Sequence, residues 1–539
     1  MTENDGGQTP GKPVLLSPST VATFDVNPLE SDNGGCQTKL LPRWYPRFRG
    51  RPVLYGNPEA LGWLLSNTGH AVYLIGGGAF IVPALMRLAT EQAGCQTEPL
   101  PGEVSFPECH NKVYGMRPSS IITTTVSIIS LAAAVLVPPI GALIDYTRHR
   151  RLIGKILSII YCAMVLPQIF ISQQTWFPVL IVVLFLGLVM WTQTLVVHAY
   201  LPELTEDENE LNQLTKIFSI IPFGSIILFI FVVLGIATAM GSRDDEVLTA
   251  RIAAVVAFVF LSIVFFVSWV YLMEERPAAH TLREGQSLWA AGFRQIYDTS
   301  CNIYQNYSAL AWFYVAVAFG DVKPIMAIAI TFFTDQLKLS PTETGAAAII
   351  MLIGSIPGAV LSSWCTKRFN PIRTSILSMV ITIVFSSLAA IILKGPGQQL
   401  ETYIIVAGWG IGGGFKLTAT RMLASTIIPE GQDAELMGFY LFADQLLSWL
   451  PPLVYTALNE AGISQRIGLA TLNIYFLIAL VAYFMMGNYR AAVETAGRST
   501  AGDVEAVLAT TEADGIQVKQ TSTASSEDSS SHEHATRDD

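Results

Sequence analysis

The sequence predicts an all-α membrane protein with about twelve transmembrane helices in two six-helix halves. Three observations carry this. Twelve apolar stretches run between residues 59 and 487, and several, such as 217–240 and 374–393, contain no charge. A spanning helix needs about 20 mostly apolar residues to cross a hydrocarbon core about 30 Å thick. The composition is 51% hydrophobic and 14% charged with mean hydropathy +0.45, against roughly 25% charged in soluble chains. The basic residues fall in alternate loops, as orientation in a bilayer requires.

The expected spans are 59–86, 119–144, 152–172, 176–200, 214–240, 249–273, 307–334, 342–364, 372–393, 401–425, 434–458 and 466–487. They form an N-terminal half (57–273) and a C-terminal half (306–488), joined by a polar linker (274–305). Residues 1–56 are polar and rich in Gly, Pro, Ser and Thr, with no signal-peptide core, and end in Arg43, Arg47, Arg49 and Arg51. Residues 489–539 are rich in Ser, Thr and acid. Both tails are expected to be disordered, because they have too little apolar surface to offset the entropy of ordering.

Basic clusters follow the second span (Arg148, Arg150, Arg151, Lys155), fill the linker (Arg276, Arg283, Arg294) and follow the eighth (Lys367, Arg368, Arg373). The positive-inside rule puts all three, and both termini, in the cytoplasm. Asn306-Tyr-Ser308 matches a glycosylation acceptor, but its cytoplasmic or membrane-boundary position leaves it unmodified. The net charge of −10 is concentrated in 203–210, 243–246 and the C-terminal tail. This argues against a nucleic-acid partner, which needs a basic face. Six cysteines do not make a disulfide scaffold here; Cys95 and Cys109 share one polar loop and could bridge if it faces an oxidising space.

The halves carry traces of a repeat. Gly187 lies fifteen residues before Pro202-Glu203 and Gly414 fifteen before Pro429-Glu430, each late in the fourth span of its half.

Between spans two and three stands Gly141-Ala-Leu-Ile-Asp145-Tyr-Thr-Arg148-His-Arg150-Arg151. It resembles the loop signature of the major facilitator superfamily. Gly141 is suited to close helix approach. Asp145 can accept from a helix N-terminus or pair with an arginine such as Arg148 or Arg150, latching one conformation of a rocking transporter. The equivalent site in the second half has Gly358 followed by Ser362 in place of the acid, then Lys367 and Arg368.

A second signature runs Gly410-Ile-Gly412-Gly413-Gly414-Phe-Lys416, then Arg421, Pro429-Glu430-Gly431, Glu435-Leu-Met-Gly438-Phe-Tyr440 and Ser448-Trp449-Leu-Pro451-Pro452. With Glu59-x-x-Gly62-Trp63 and Leu201-Pro202-Glu203-Leu204, it resembles the vacuole effluxer family typified by autophagy-related protein 22, over most of 57–487. Gly320-Asp321 reverses the family's Asp-Gly order in the seventh span. The glycine run is no phosphate loop, because Phe415 precedes and Leu417 follows Lys416 where Gly and Ser or Thr are needed. It reads instead as a close-packing helix face.

Ionisable groups inside spans are costly and mark function. Asp321 and Lys323 lie in the seventh span, two residues apart, and point to different sides unless Pro324 breaks the helix. Asn67 and His70 lie in the first. A zwitterion needs an acceptor for its ammonium, which Asp321 could supply. Its carboxylate needs donors, from Lys323, Asn67 or broken-helix N–H groups. His70 is a satisfied interior histidine or, with Asp321, a proton-coupling group. Lys416, Trp191 and Gln193 are further cavity candidates, with His198 beside them. Arg421 is expected to pair with Glu435 or Asp444 as a second latch.

The residues alone reach a secondary carrier of a small polar solute, working as a monomer in the bilayer with no cofactor or metal and no catalytic residue. The resemblance implies export of amino acids from a vacuole to the cytoplasm, linked to autophagic recycling. Two other readings stay open: a carrier of a sugar, peptide or organic anion, and a non-transporting membrane scaffold.

Overall fold

The computed structural model describes residues 47–48, 51–52, 57–95, 111–200, 204, 208–241, 245–275, 287–320, 323–429 and 432–497. Two compact units divide the chain, Met1–Gly56 and Asn57–Asp539. In the first, strands β1 (Arg47–Phe48) and β2 (Arg51–Pro52) pair antiparallel, a small hairpin within the segment expected to be wholly disordered.

The second unit is helical. Its first half contains α1 (Pro58–Ala71), α2 (Gly78–Gln92), α3 (Pro118–Asp145), α4 (Arg150–Val165), α5 (Trp176–His198), α6 (Glu208–Ala239) and α7 (Glu246–Phe266). A wider π turn, Val72–Gly77, joins α1 to α2, and together they form one 35-residue span. The linker is not simply polar chain: it forms α8 (Leu288–Asn306), whose Gly292 sits against the Pro138 carbonyl of α3. A periodic apolar face, with Ala291 and Ile303 buried, makes this stretch a helix despite its low mean hydropathy.

The second half contains α9 (Ser308–Phe319), α10 (Lys323–Asp335), α11 (Pro341–Arg368), α12 (Pro371–Ile392), α13 (Gln399–Ile427), α14 (Asp433–Leu446), α15 (Leu450–Glu460) and α16 (Gln465–Met485). Residues 489–497, placed in the disordered tail by sequence, are helical, with Ala492 and Ala496 buried. Helix starts follow local chemistry. Asn57 Oδ1 accepts from Ala60 N at 3.0 Å ahead of Pro58. Ser340 and Glu343 form a reciprocal capping box ahead of Pro341. Such caps satisfy N–H groups that lack partners within the helix.

Nine described helices are long and apolar enough to span a bilayer. The expected seventh and eleventh spans are broken instead, into α9–α10 and α14–α15, and the tenth, continuous as α13, is not among the nine. Proline explains the second break: Pro451 and Pro452 cannot donate backbone hydrogen bonds, so they open a new helix after Trp449.

Glycine fixes the tightest packing. A Cβ on Gly414 would lie 2.0 Å from the Ser355 carbonyl oxygen, one on Gly410 2.2 Å from that of Met351, and one on Gly358 2.1 Å from that of Ile411. Helices α11 and α13 thus meet backbone to backbone through two small-x-x-x-small faces. Gly187, the repeat counterpart of Gly414, likewise lets α5 close on Ile129 of α3.

Candidate functional site

The break in the seventh span builds the central charge cluster. Helix α9 ends at Phe319, and Gly320 N still donates to Ala316 O at 2.9 Å. The carbonyl of Gly320 accepts from Nζ of Lys416, a 6% exposed residue of α13. A buried cation against the negative end of a helix is favourable. The chain then restarts at Lys323, whose Nζ pairs with the Asp444 carboxylate in the last turn of α14. Lys416 and Arg421 lie close enough to act on the same carboxylate.

Both members of this pair stand at the wrong ends of their helices. Lys323 opens α10 and Asp444 closes α14, so each dipole opposes its charge by about 0.3–1 kcal/mol. The ion pair offsets that cost. Lys323 Nζ also lies 5.0 Å from the ring centroid of Trp191 on α5, a cation–π contact across the two halves. Trp191, Lys323, Lys416 and Asp444 are thereby gathered about the two helix breaks. Asp321 lies outside the described residues.

A second arrangement joins the halves at the end bearing the 93–117 loop. Asn459 Nδ2 donates to Ser119 Oγ at 2.9 Å and to Ser120 Oγ at 2.8 Å. Thr123 and Thr456 hydroxyls bond at 2.6 Å. Deeper in, Gln445 Nε2 reaches Ser130 O at 3.5 Å. At the rim, Glu460 accepts from Arg117 N at 2.6 Å and pairs with Lys112 at 2.9 Å. Burial pushes the Glu460 carboxyl up, but the Lys112 ammonium and the Arg117 N–H outweigh it and hold it below the usual carboxylate range. Sequence reasoning missed this seam. Its signal was a stripe of small hydroxyls, Ser119, Thr123, Ser127 and Ser130, at helical spacing on a span that also carries Ser120, Thr124 and Thr125.

Asn67, His70 and Gln193 fall together elsewhere, in a polar cavity between α1 and α5 that Ser66, Thr194 and His198 also line. His70 Nε2 bonds Thr194 Oγ1 at 2.8 Å, and His198 Nδ1 bonds Thr194 O at 2.8 Å.

The two arginines expected in the latch take different positions. Arg150 is buried and donates through Nε to Ile144 O at 2.8 Å, closing the C-terminus of α3, whereas Arg148 is exposed. The Asp145 side chain is outside what is described. Gly141 makes no close helix contact; a Cβ there would meet open space, because α8 approaches α3 one turn earlier through Gly292. Arg421 reaches Asp444 through its charge rather than by a direct contact. Lys323, brought in by the helix break, takes Asp444, and Glu435 accepts from the Thr299 hydroxyl of α8. Among the described residues, no cluster of three His, Cys, Asp or Glu side chains could hold a metal. Cys95 is disulfide-bonded, and its partner lies outside the described residues.

Comparison with known folds agrees with this architecture. The chain is similar to a D-xylose–proton symporter (TM-score 0.54, 13% identity, 80% of this chain and 96% of that one). It is also similar to the nucleoside transporter NupG (TM-score 0.53, 13% identity, 80% and 100%). A bacterial homologue of the human lysosomal transporter Spinster aligns at TM-score 0.52 and 13% identity, over 82% and 98%. These likenesses give the fold, that of the major facilitator superfamily. Autophagy-related protein 22 of Yarrowia lipolytica is 25% identical over 191 residues, 33% of this chain and 30% of that protein. Its counterpart in Vanderwaltozyma polyspora is 23% identical over 184 residues, 33% and 35%. Each match spans about a third of the relative's length. The family described as "Vacuole effluxer Atg22 like" matches residues 56–496, most of the helical unit. The chain belongs to this vacuole effluxer family.

Proposed function

We propose that this transporter moves amino acids from the vacuole lumen to the cytoplasm by alternating access, returning the products of autophagic breakdown. The observation that carries the reading is the Lys323–Asp444 pair at two helix breaks, with Trp191 of the other half over the lysine. A zwitterion offers one group to each member: its carboxylate to Lys323, its ammonium to Asp444. Binding then replaces an internal ion pair by two solute contacts and frees α10 from α14. Lys416, anchored on Gly320, holds the hinge. Asp321, next in sequence to that glycine, adds a second acceptor for an ammonium.

The direction rests on charge distribution. The arginine-rich loops occupy the end opposite the Ser119–Asn459 seam, so that seam closes the lumenal side and both termini are cytoplasmic. Lumenal opening must break its hydrogen bonds; cytoplasmic opening leaves them intact. One copy contains both halves and so suffices as the working unit.

The test is uptake into liposomes holding the purified full chain, using a labelled mixture of the twenty amino acids and, separately, labelled sugars, dipeptides and dicarboxylates. Saturable amino-acid uptake that Asp444→Asn abolishes supports the reading. Uptake confined to one of the other classes replaces the substrate. Uptake of none, with the protein folded, leaves the membrane scaffold.

A further inference from the structure

The cavity between α1 and α5 has an internal logic that the central charge pair does not use. Thr194 Oγ1 donates to Met190 O at 2.9 Å, so its hydrogen is committed. Toward His70 it can only accept, which places the His70 proton on Nε2 and leaves Nδ1 as a bare acceptor. That atom is buried and has no protein partner among the described residues. Ser158 Oγ likewise donates to Gly154 O at 2.8 Å, so it accepts from Gln193 Nε2 at 2.9 Å. This fixes the amide orientation and leaves Gln193 Oε1 as a second acceptor. It too is buried and without a protein partner among the described residues, on a side chain only 1% exposed.

His70 and Gln193 both line this cavity, so one occupant that donates twice would satisfy both acceptors. An unmet buried acceptor costs roughly 1–3 kcal/mol, so chance alone is a poor account of two. The lining side chains enclose about 180 Å³ of non-atom space, much of it opening outward. The enclosed part is on the order of a single water molecule, too small for an amino acid.

We propose that this cavity is a proton-loading site, holding one water that donates to both His70 Nδ1 and Gln193 Oε1. A proton reaching that water makes hydronium and passes to Nδ1: one O–H bond breaks and one N–H bond forms. Neutral water stays behind, still donating to Gln193 and now accepting from the imidazolium. The groups facing His70 are Tyr161 of α4, its ring centroid 6.2 Å away, His198 of α5, and Tyr73 against Tyr161 at 5.6 Å. Helix α7 presents Leu261 and Phe265 beside Gly69. Lys323 and Arg421 act on His198 from the other half.

This inference rests on the transport reading, and two measurements keep the two separable. The first is a structure of the full chain in lipid nanodiscs, at a resolution that shows ordered water. Density between His70 Nδ1 and Gln193 Oε1, lost in Gln193→Leu, is expected. A dry cavity overturns the site, and so does density that depends on sodium concentration. The second compares amino-acid counterflow with uptake driven by an imposed pH gradient. In His70→Gln, gradient stimulation is expected to fall at least tenfold relative to counterflow. Equal stimulation in wild type and variant overturns the proton assignment. Absent wild-type counterflow sinks the transport reading instead, and the density result still decides the water.

Discussion

Asp444→Asn removes one member of the central pair and leaves Lys323 at a helix N-terminus with its dipole unopposed. The Lys323 side chain is 43% exposed and that of Asp444 18%. Full burial would set the cost of breaking the pair near 3–5 kcal/mol, and full exposure would set it below about 1 kcal/mol. Intermediate burial, with one charge-assisted hydrogen bond, places the coupling at about 1–3 kcal/mol. That corresponds to a factor of roughly 5–150. The assay is a double-mutant cycle on initial uptake rates, with Asp444→Asn, Lys323→Gln and the double variant, each normalised to folded protein by size-exclusion chromatography. Each single variant should lose transport, and the double should be no worse than the worse single. If the two losses multiply, the residues act independently and the paired-switch argument fails. A charge swap, Lys323→Asp with Asp444→Lys, should recover binding above either single reversal, because each charge then sits at its preferred helix end.

Gly414→Val drives a side chain into the Ser355 carbonyl, 2.0 Å from the first added carbon, and should cost more than about 3 kcal/mol. Folded monomer on size exclusion should disappear, whereas Gly413→Ala, which meets open space, should leave it intact. Asn459→Ala strands the Ser119 and Ser120 hydroxyls and removes two cross-half hydrogen bonds. At about 1 kcal/mol each, the lumenal-open population should rise roughly tenfold or more, read as labelling of a cysteine placed at the buried position 127. Glu460 sets the pH response of the same seam. Its carboxyl is held below its ordinary value, so the contact is fully formed above the ordinary carboxylate pKa and is lost as pH falls through the depressed one. Labelling, read with an aromatic disulfide that exchanges with thiols in acid, should therefore stay low at pH 5 and rise only in stronger acid, and Glu460→Gln should label at every pH.

The residues that were legible in the sequence are those whose signal is local. Apolar length marks the spans, proline at N1 marks helix starts, and the Gly410–Gly414 run marks a packing face. The charge pair was half legible. Lys323 and Asp444 each stood out as ionisable groups in apolar stretches, but 121 positions separate them, and no periodicity links two ends of different helices. The breaks at Gly320 and Leu447 bring Lys323 to Asp444. The Ser119–Asn459 seam failed for another reason. Serine and threonine inside a span bond their own helix so readily, as Thr125 does to Ile121 O, that a hydroxyl stripe carries no unique partner.

The two cross-half arrangements differ in chemistry, and this difference fits rocking better than either alone. The buried part of the seam uses neutral hydroxyls and amides, whose bonds exchange with water at small net cost, about 1 kcal/mol each, and its ion pair, Glu460–Lys112, stands at the solvent-exposed rim. Such a surface can open and reclose without stranding charge. The centre uses an ion pair between helix ends that disfavour those charges, so its energy falls sharply once a solute offers better-placed partners. A gate should be cheap to part, and a trigger should respond steeply to its ligand. Placing charge at the seam and hydroxyls at the centre would reverse both properties: a gate closed by desolvated ion pairs would stay shut, and a neutral centre would give a zwitterion little reason to move α10 from α14.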